Sequence, residues 1–144
     1  DIAANFLSKF NKIMIVCRKE NGQKAAMKFA EIIKGKAVTG RFLPGTLTNP
    51  SFRDFYEPDV VIVVDPLIDK QAVDEAKKKK LPIVALCDTF NEGVDIDLII
   101  PANNNGRKSL ALIFWLLARE ILKRRGDIKK DDEFKYTLKD FGGE

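Results

Sequence analysis

A three-layer α/β fold, with a mostly parallel sheet of five strands and helices on both faces, is what this sequence predicts. Three observations carry the prediction. Short continuous apolar runs recur, KIMIVC at 12–17, DVVIVVD at 59–65 and PIVALC at 82–87, and a run of this kind suits a strand buried on both faces. Between them lie longer stretches whose apolar residues recur three and four apart, the spacing of a helix with one inward side. Strand and helix alternate along the chain, the order that builds parallel sheets through right-handed crossovers.

Ile2, Phe6, Leu7 and Phe10 have helical spacing and predict the second half of a helix. The chain starts at Asp1 without a methionine, so the N-terminal part of the natural protein is expected to be missing. Lys12 to Cys17 is the first strand. Asn21-Gly22 reads as a break after it. Gln23 to Lys34 then reads as a helix through Ala26, Met27, Phe29, Ala30, Ile32 and Ile33, with Gly35 as its C′ glycine. Ala37 to Thr39 is a brief strand. The stretch Gly40 to Pro50, GRFLPGTLTNP, has neither a helical nor an alternating period. Pro44-Gly45 is a turn dipeptide.

Ser51 to Tyr56 has room for one helical turn, and Asp59 to Asp65 is the clearest strand. Ile68 to Lys79 is a helix with Ile68, Ala72, Val73 and Ala76 inward, and the lysines from Lys77 to Lys80 complement the dipole at its end. Pro82 to Cys87 is a strand, and Leu98 to Ile100 a last short one ended by Pro101. Ser109 to Arg125 is the longest helix, with Leu110, Ile113, Phe114, Leu117, Ile121 and Leu122 inward. Gly126 stops it. Five strands fit a flavodoxin-like (Rossmann-like) sheet better than a six-stranded Rossmann arrangement. Residues 1–126 read as a single domain and 127–144 as a charged extension whose aromatics follow no clear period.

The 144 residues, 45% hydrophobic and 32% charged, suit a soluble globular domain with a real core. No apolar run approaches bilayer-spanning length, and the start carries no secretory-signal pattern. Cys17 and Cys87, far apart and each closing an apolar run, read as buried thiols. The net charge is +4, but the tail from Asp127 holds four lysines against six acids, which leaves 21 basic and 15 acidic residues in the body. A basic body suits a polyanionic partner.

There is no histidine, which removes the histidine-dependent nucleophile triads and any histidine-ligated metal site. No glycine-rich phosphate loop of standard spacing occurs, and no catalytic residue, metal or cofactor is predicted. The Gly40 loop has two readings. One is an ordered connection with no ligand, pegged to the body by Phe42, Leu43 and Leu47. The other is a contact loop in which Arg41, a planar five-donor fork, and Thr46, Thr48 and Asn49 meet a partner. Asp65 and Asp88, with Thr89, close two strands where open α/β sheets bind ligands. They support an alternative: an Asp-based, metal-dependent phospho-accepting or phosphoryl-transfer domain. The competing account makes them caps of the following turns. A flavin or nucleotide carrier would need a phosphate loop at Arg18 to Gln23, which has a single glycine.

The Gly40 loop resembles the central motif of the small-subunit ribosomal protein S-two family, in its archaeal and eukaryotic form. Two further stretches do the same. Pro58 to Pro82 carries Asp65, Asp69, Val73, Glu75, Lys80, Leu81 and Pro82 where the family's second signature has such residues. Ile100 to Gly126, IPANNNGRKSLALIFWLLAREILKRRG, is similar to the family's asparagine loop and following long helix. The likeness covers Ile2 to about Asp127, and the family's N-terminal histidine-containing segment is absent.

The resemblance implies a structural, non-enzymatic component of the small ribosomal subunit in the cytoplasm. Its implied partners are small-subunit rRNA and neighbouring ribosomal proteins, with no membrane and no small-molecule substrate. The contact residues it implies are Arg41, Thr46, Thr48 and Asn49 of the Gly40 loop and Asn103, Asn104, Asn105, Arg107 and Lys108 of the asparagine loop; by charge, Arg18, Lys19, Lys24, Lys36, Arg53, Arg124 and Arg125 are further basic candidates for RNA contact. The asparagines equally suit capping of the helix that follows. Arg119 beside Glu120 reads as a packing or ion-pair residue, and Trp115 as core or an interface anchor.

Overall fold

In the computed structural model, the described residues are 7–10, 12–18, 20–39, 47, 51, 56–64, 70–87, 98–101 and 107–126. They hold β1 (Ile13–Cys17), α1 (Glu20–Ile33), β2 (Lys36–Thr39), β3 (Val60–Val63), α2 (Lys70–Lys78), β4 (Ile83–Cys87), β5 (Leu98–Pro101) and α3 (Arg107–Arg125). The strands form one sheet in the order β2-β1-β3-β4-β5, and every neighbouring pair is parallel. All strands therefore end at one pole, here the carboxyl pole, and begin at the other, the amino pole.

Alternation along each strand divides the core in two. Ile13, Ile15 and Cys17 of β1, with Val60 and Ile62 of β3, point to the face covered by α1 and α3. Met14, Val16, Val61 and Val63 point to the other, covered by α2 and Leu47. Helices α1 and α3 approach closely because alanines line the contact, with Ala25, Ala26, Ala30, Ala111 and Ala118 all buried. Between them Phe29 and Phe114 stack with ring centroids 5.1 Å apart at 48°. Cys17 is a buried thiol outside any disulfide. Of the predicted first helix, Leu7 is helical and buried; Ile2 to Phe6 lie outside the described residues.

Two glycine readings are corrected. Asn21-Gly22 does not separate β1 from its helix, because α1 already begins at Glu20. Gly22 serves a close approach instead: a Cβ there would stand 3.0 Å from both Cys17 Sγ and Leu110 Cδ1. That contact explains a residue that otherwise costs a helix interior about 1 kcal/mol. At the end of α1 the left-handed residue is Lys34, with φ 61°, and Gly35 is the next position. The Gly35 N–H closes the cap on the Ala30 carbonyl at 2.7 Å. Gly35 is required for space, since a Cβ would fall 2.5 Å from the Ile13 carbonyl oxygen. Helix α2 ends the same way, with Lys80 at φ 57° and N–H groups of Lys80 and Leu81 donating to the carbonyls of Lys77 and Ala76 at 3.0 and 2.9 Å. Left-handed backbone costs a residue with a Cβ roughly 1–2 kcal/mol. Helix α3 ends on Gly126, at φ 87°.

Candidate nucleic-acid interface

Inside the Gly40–Pro50 stretch, Leu47 is described, and it is anchored twice. Its side chain is 1% exposed and packs in the cluster of Met14, Val16, Val61, Val63, Ala72, Ala76 and Ile83. Its N–H donates to Glu75 Oε1 at 3.1 Å. The other carboxylate oxygen accepts from Gln71 Nε2 at 2.8 Å. Glu75, 3% exposed, is the one buried charged residue among the described residues. Helical spacing puts Gln71, Ala72, Glu75 and Ala76 on one side of α2. Thus the second family-like stretch supplies the acceptor that holds the first. An acid set among inward alanines is the signal that could have identified this anchor from sequence. The peg role expected of Leu47 is what the structure shows; Phe42 and Leu43 lie outside the described residues.

Beside this anchor a cleft of about 510 Å³ opens at the amino pole, lined by Lys12, Leu47, Glu57, Pro58, Asp59, Lys79 and Leu81. Asp59 closes its wall onto the start of β1. Its carboxylate accepts from the Lys12 N–H at 3.1 Å, and its own N–H donates to the Lys12 carbonyl at 2.7 Å. Burial, then the Asp59 charge, push the Tyr56 phenol above its ordinary value, so Tyr56 is neutral at physiological pH.

The predicted contact residues divide between the two poles. Arg18 follows β1 at the carboxyl pole and is exposed, and its carbonyl accepts from Gln23 Nε2 at 3.2 Å. Arg107 and Lys108 form the first two positions of α3, also at the carboxyl pole. Lys36 is exposed at the start of β2, at the amino pole, and α3 brings Arg124 and Arg125 there too. Arg125 is committed to the fold: Nη1 donates to the Ile33 carbonyl at 2.9 Å and Nη2 to the Phe10 carbonyl at 2.8 Å. Lys19, Arg41, Thr46, Thr48, Asn49, Arg53, Asn103, Asn104 and Asn105 lie outside the described residues, as do Asp65, Asp88 and Thr89.

Three cations surround Glu120: Arg124 Nη1 at 3.2 Å, Lys123 Nζ at 3.4 Å and Arg119 Nε at 3.5 Å. Burial works to raise its pKa, but hydrogen bonds from Arg124 and Lys123 and the nearby charges outweigh it, and the carboxyl sits below its usual value. The Arg119 guanidinium also lies 4.8 Å over the Trp115 ring. Arg119 is thus a packing and ion-pair residue, and Trp115 is half-buried against the core. Among the described residues no cluster of His, Cys, Asp or Glu could hold a metal, and no helix is long and apolar enough to cross a membrane.

Residues 52–123 match the family described as Ribosomal protein S2. Three archaeal proteins, each named small ribosomal subunit protein uS2, are similar over 97% of the chain. The protein from Picrophilus torridus is 49% identical over 142 residues, covering 71% of that relative. Its counterpart in Thermoplasma acidophilum is 52% identical over 142 residues, again 71% of the relative. In Aeropyrum pernix the figures are 51% over 142 residues and 69%. None of these matches lends support to the phosphoryl-transfer alternative.

Proposed function

This chain belongs to the ribosomal protein S2 family, and from that premise we propose that it is a structural constituent of the small ribosomal subunit. In this reading it binds small-subunit rRNA and neighbouring ribosomal proteins in the cytoplasm and catalyses no reaction. The observation that carries it is identity of about half with the relative from Thermoplasma acidophilum, 52% over 142 residues. The strand order β2-β1-β3-β4-β5 supports a flavodoxin-like sheet, with residues 1–126 as the domain and 127–144 as an extension beyond it.

A sheet covered by helices offers no exposed aromatic face for stacking bases, so binding rests on phosphate contacts and shape. At the carboxyl pole, Arg18, Lys19, Arg107 and Lys108 would meet phosphate together with Asn103, Asn104 and Asn105, where the N-terminus of α3 favours an anion. From the tethered loop, Arg41, Thr46, Thr48 and Asn49 would face RNA or a neighbouring protein, with Arg53 beyond it. Lys36 and Arg124 are placed to contribute at the amino pole. Arg125, already holding two carbonyls, acts by positioning the end of α3.

Sedimentation tests the reading. Added to small subunits washed free of their resident copy, the protein should co-migrate with them through a sucrose gradient. Its complete absence from the subunit fractions would overturn the assignment.

A further inference from the structure

Of helices α1, α2 and α3, the first two end on a lysine in left-handed backbone, Lys34 and Lys80, while α3 ends on Gly126. Glycine is the ordinary choice at such a position because any Cβ is disfavoured there. The caps themselves do not ask for lysine, since their hydrogen bonds run between backbone groups of Gly35 and Ala30, Lys80 and Lys77, and Leu81 and Ala76. Both lysine side chains are exposed. Among the described residues neither forms an ion pair. A strained residue whose side chain stands exposed and takes no part in its own cap points to a contact made with that side chain.

Both positions lie at the amino pole, because each helix that follows a parallel strand returns to that end. Lys36 opens β2, Lys12 precedes β1, and Lys79 precedes Lys80 at the approach to β4; all three are exposed. With β1 and β3 between β2 and β4, these lysines line an edge of about 14 Å, three strand spacings. Among the described residues, the acids that share the cleft with Lys12 and Lys79 are Glu57 and Asp59. One of these, Asp59, is engaged by the Lys12 N–H. Among the described residues, five cations against these two acids leave the edge basic.

We propose that Lys12, Lys34, Lys36, Lys79 and Lys80 form a docking edge for RNA phosphates at the amino pole, opposite Arg18 and the start of α3. The proposal rests on the ribosomal reading and adds a second RNA-facing surface to it. Ammonium groups on flexible stems suit phosphate contact without base readout. Lysines at helix ends also complement the helix dipole, and the two roles separate experimentally. A dipole role makes Lys→Gly destabilising, whereas a docking role leaves the fold as stable or more so.

The test uses the Lys34→Gly/Lys80→Gly double variant, with Lys34→Arg/Lys80→Arg as the charge-keeping control. Rebinding to small subunits stripped of their own copy is measured between about 50 and about 200 mM salt, together with thermal melting. The glycine variant should melt no lower than wild type and bind several-fold more weakly. Its slope of log affinity against log salt should shrink by about one and a half units, the share of two lost phosphate contacts. The arginine variant should keep the wild-type slope. Wild-type affinity and slope in the glycine variant would overturn the proposal alone. So would a lowered melting temperature with unchanged slope, which marks a dipole role, or weaker binding with unchanged slope, which marks a protein neighbour. Failure of the wild-type protein to rebind would overturn the ribosomal reading and this edge together.

Discussion

The two faces of the sheet are held by different means. On one, α1 and α3 lie side by side and, with Leu7 and the sheet residues beneath them, form a cluster of twenty buried residues among those described. On the other, the described cluster has eight, from α2, the sheet and Leu47. The first face is secured by area and by close helix contact around alanine and Gly22. The second adds a directed polar tie, the buried Glu75 carboxylate holding the Leu47 N–H. Area tolerates exchange of one apolar residue for another; a carboxylate with two donors aimed at it does not. Leu47, within the stretch that resembles the family's central motif, is fastened by the less forgiving device.

The largest expected effect belongs to the two-helix face. Phe114→Ala removes a fully buried ring that stacks on Phe29 and should cost about 3–5 kcal/mol in urea unfolding. The loss should be global, with amides across the sheet exchanging faster together. A loss well under that range would show that the two-helix face does not depend on its aromatic centre.

Glu75→Gln should cost less, about 1–3 kcal/mol, but selectively. Leu47 N–H and Gln71 Nε2 both donate to the carboxylate, and an amide keeps an acceptor for one of them only. Hydrogen exchange should therefore rise at the Leu47 amide beyond the global change. If the Leu47 amide stayed as protected as in wild type, both faces would be held by area alone and the contrast would fail.

The smallest effect comes from the outer surface of α3. The folded Glu120 carboxyl titrates below its ordinary value of 4.5. A depressed carboxyl contributes stability that is present above the unfolded pKa and lost as pH falls through the folded one. Wild type should thus be slightly more stable than Glu120→Gln at neutral pH, by no more than about 1 kcal/mol. The difference should vanish in acid below both values, as followed by urea melts across the range. An equal difference at all pH values would assign Glu120 a packing role.

Strands β1, β3 and β4 were legible in the sequence because burial on both faces makes every position apolar. Helix α3 was legible because its inward residues repeat at helical spacing from Leu110 to Leu122. What sequence could not disclose was tertiary. Asn21-Gly22 has turn composition, but Gly22 answers to Cys17 and Leu110, a neighbour 88 positions away in the chain. Gly35 was recognised as special for the wrong reason: the adjoining Lys34 takes the left-handed turn, and the Ile13 carbonyl excludes a side chain at Gly35. Arg125 was read by charge alone as a contact residue, and the two carbonyls it holds are invisible without the fold. The left-handed turns at Lys34 and Lys80 were not foreseen, since backbone handedness is not written in residue type.

The Arg125 contacts also bear on how the domain is made. Its guanidinium reaches Phe10 across 115 positions and Ile33 across 92. During synthesis at about 5–20 residues per second, a gap of that length separates the two ends by roughly 6–23 seconds. Strands β1 and β2 and helix α1 are made well before the helix that covers α1 and the arginine that locks its end. The early half must wait with its alanine-lined face open to water, where closure of so wide a loop is slow. A chain that stops short of residue 125 would lack the clasp, so the packing of α1 is completed only once α3 has been made.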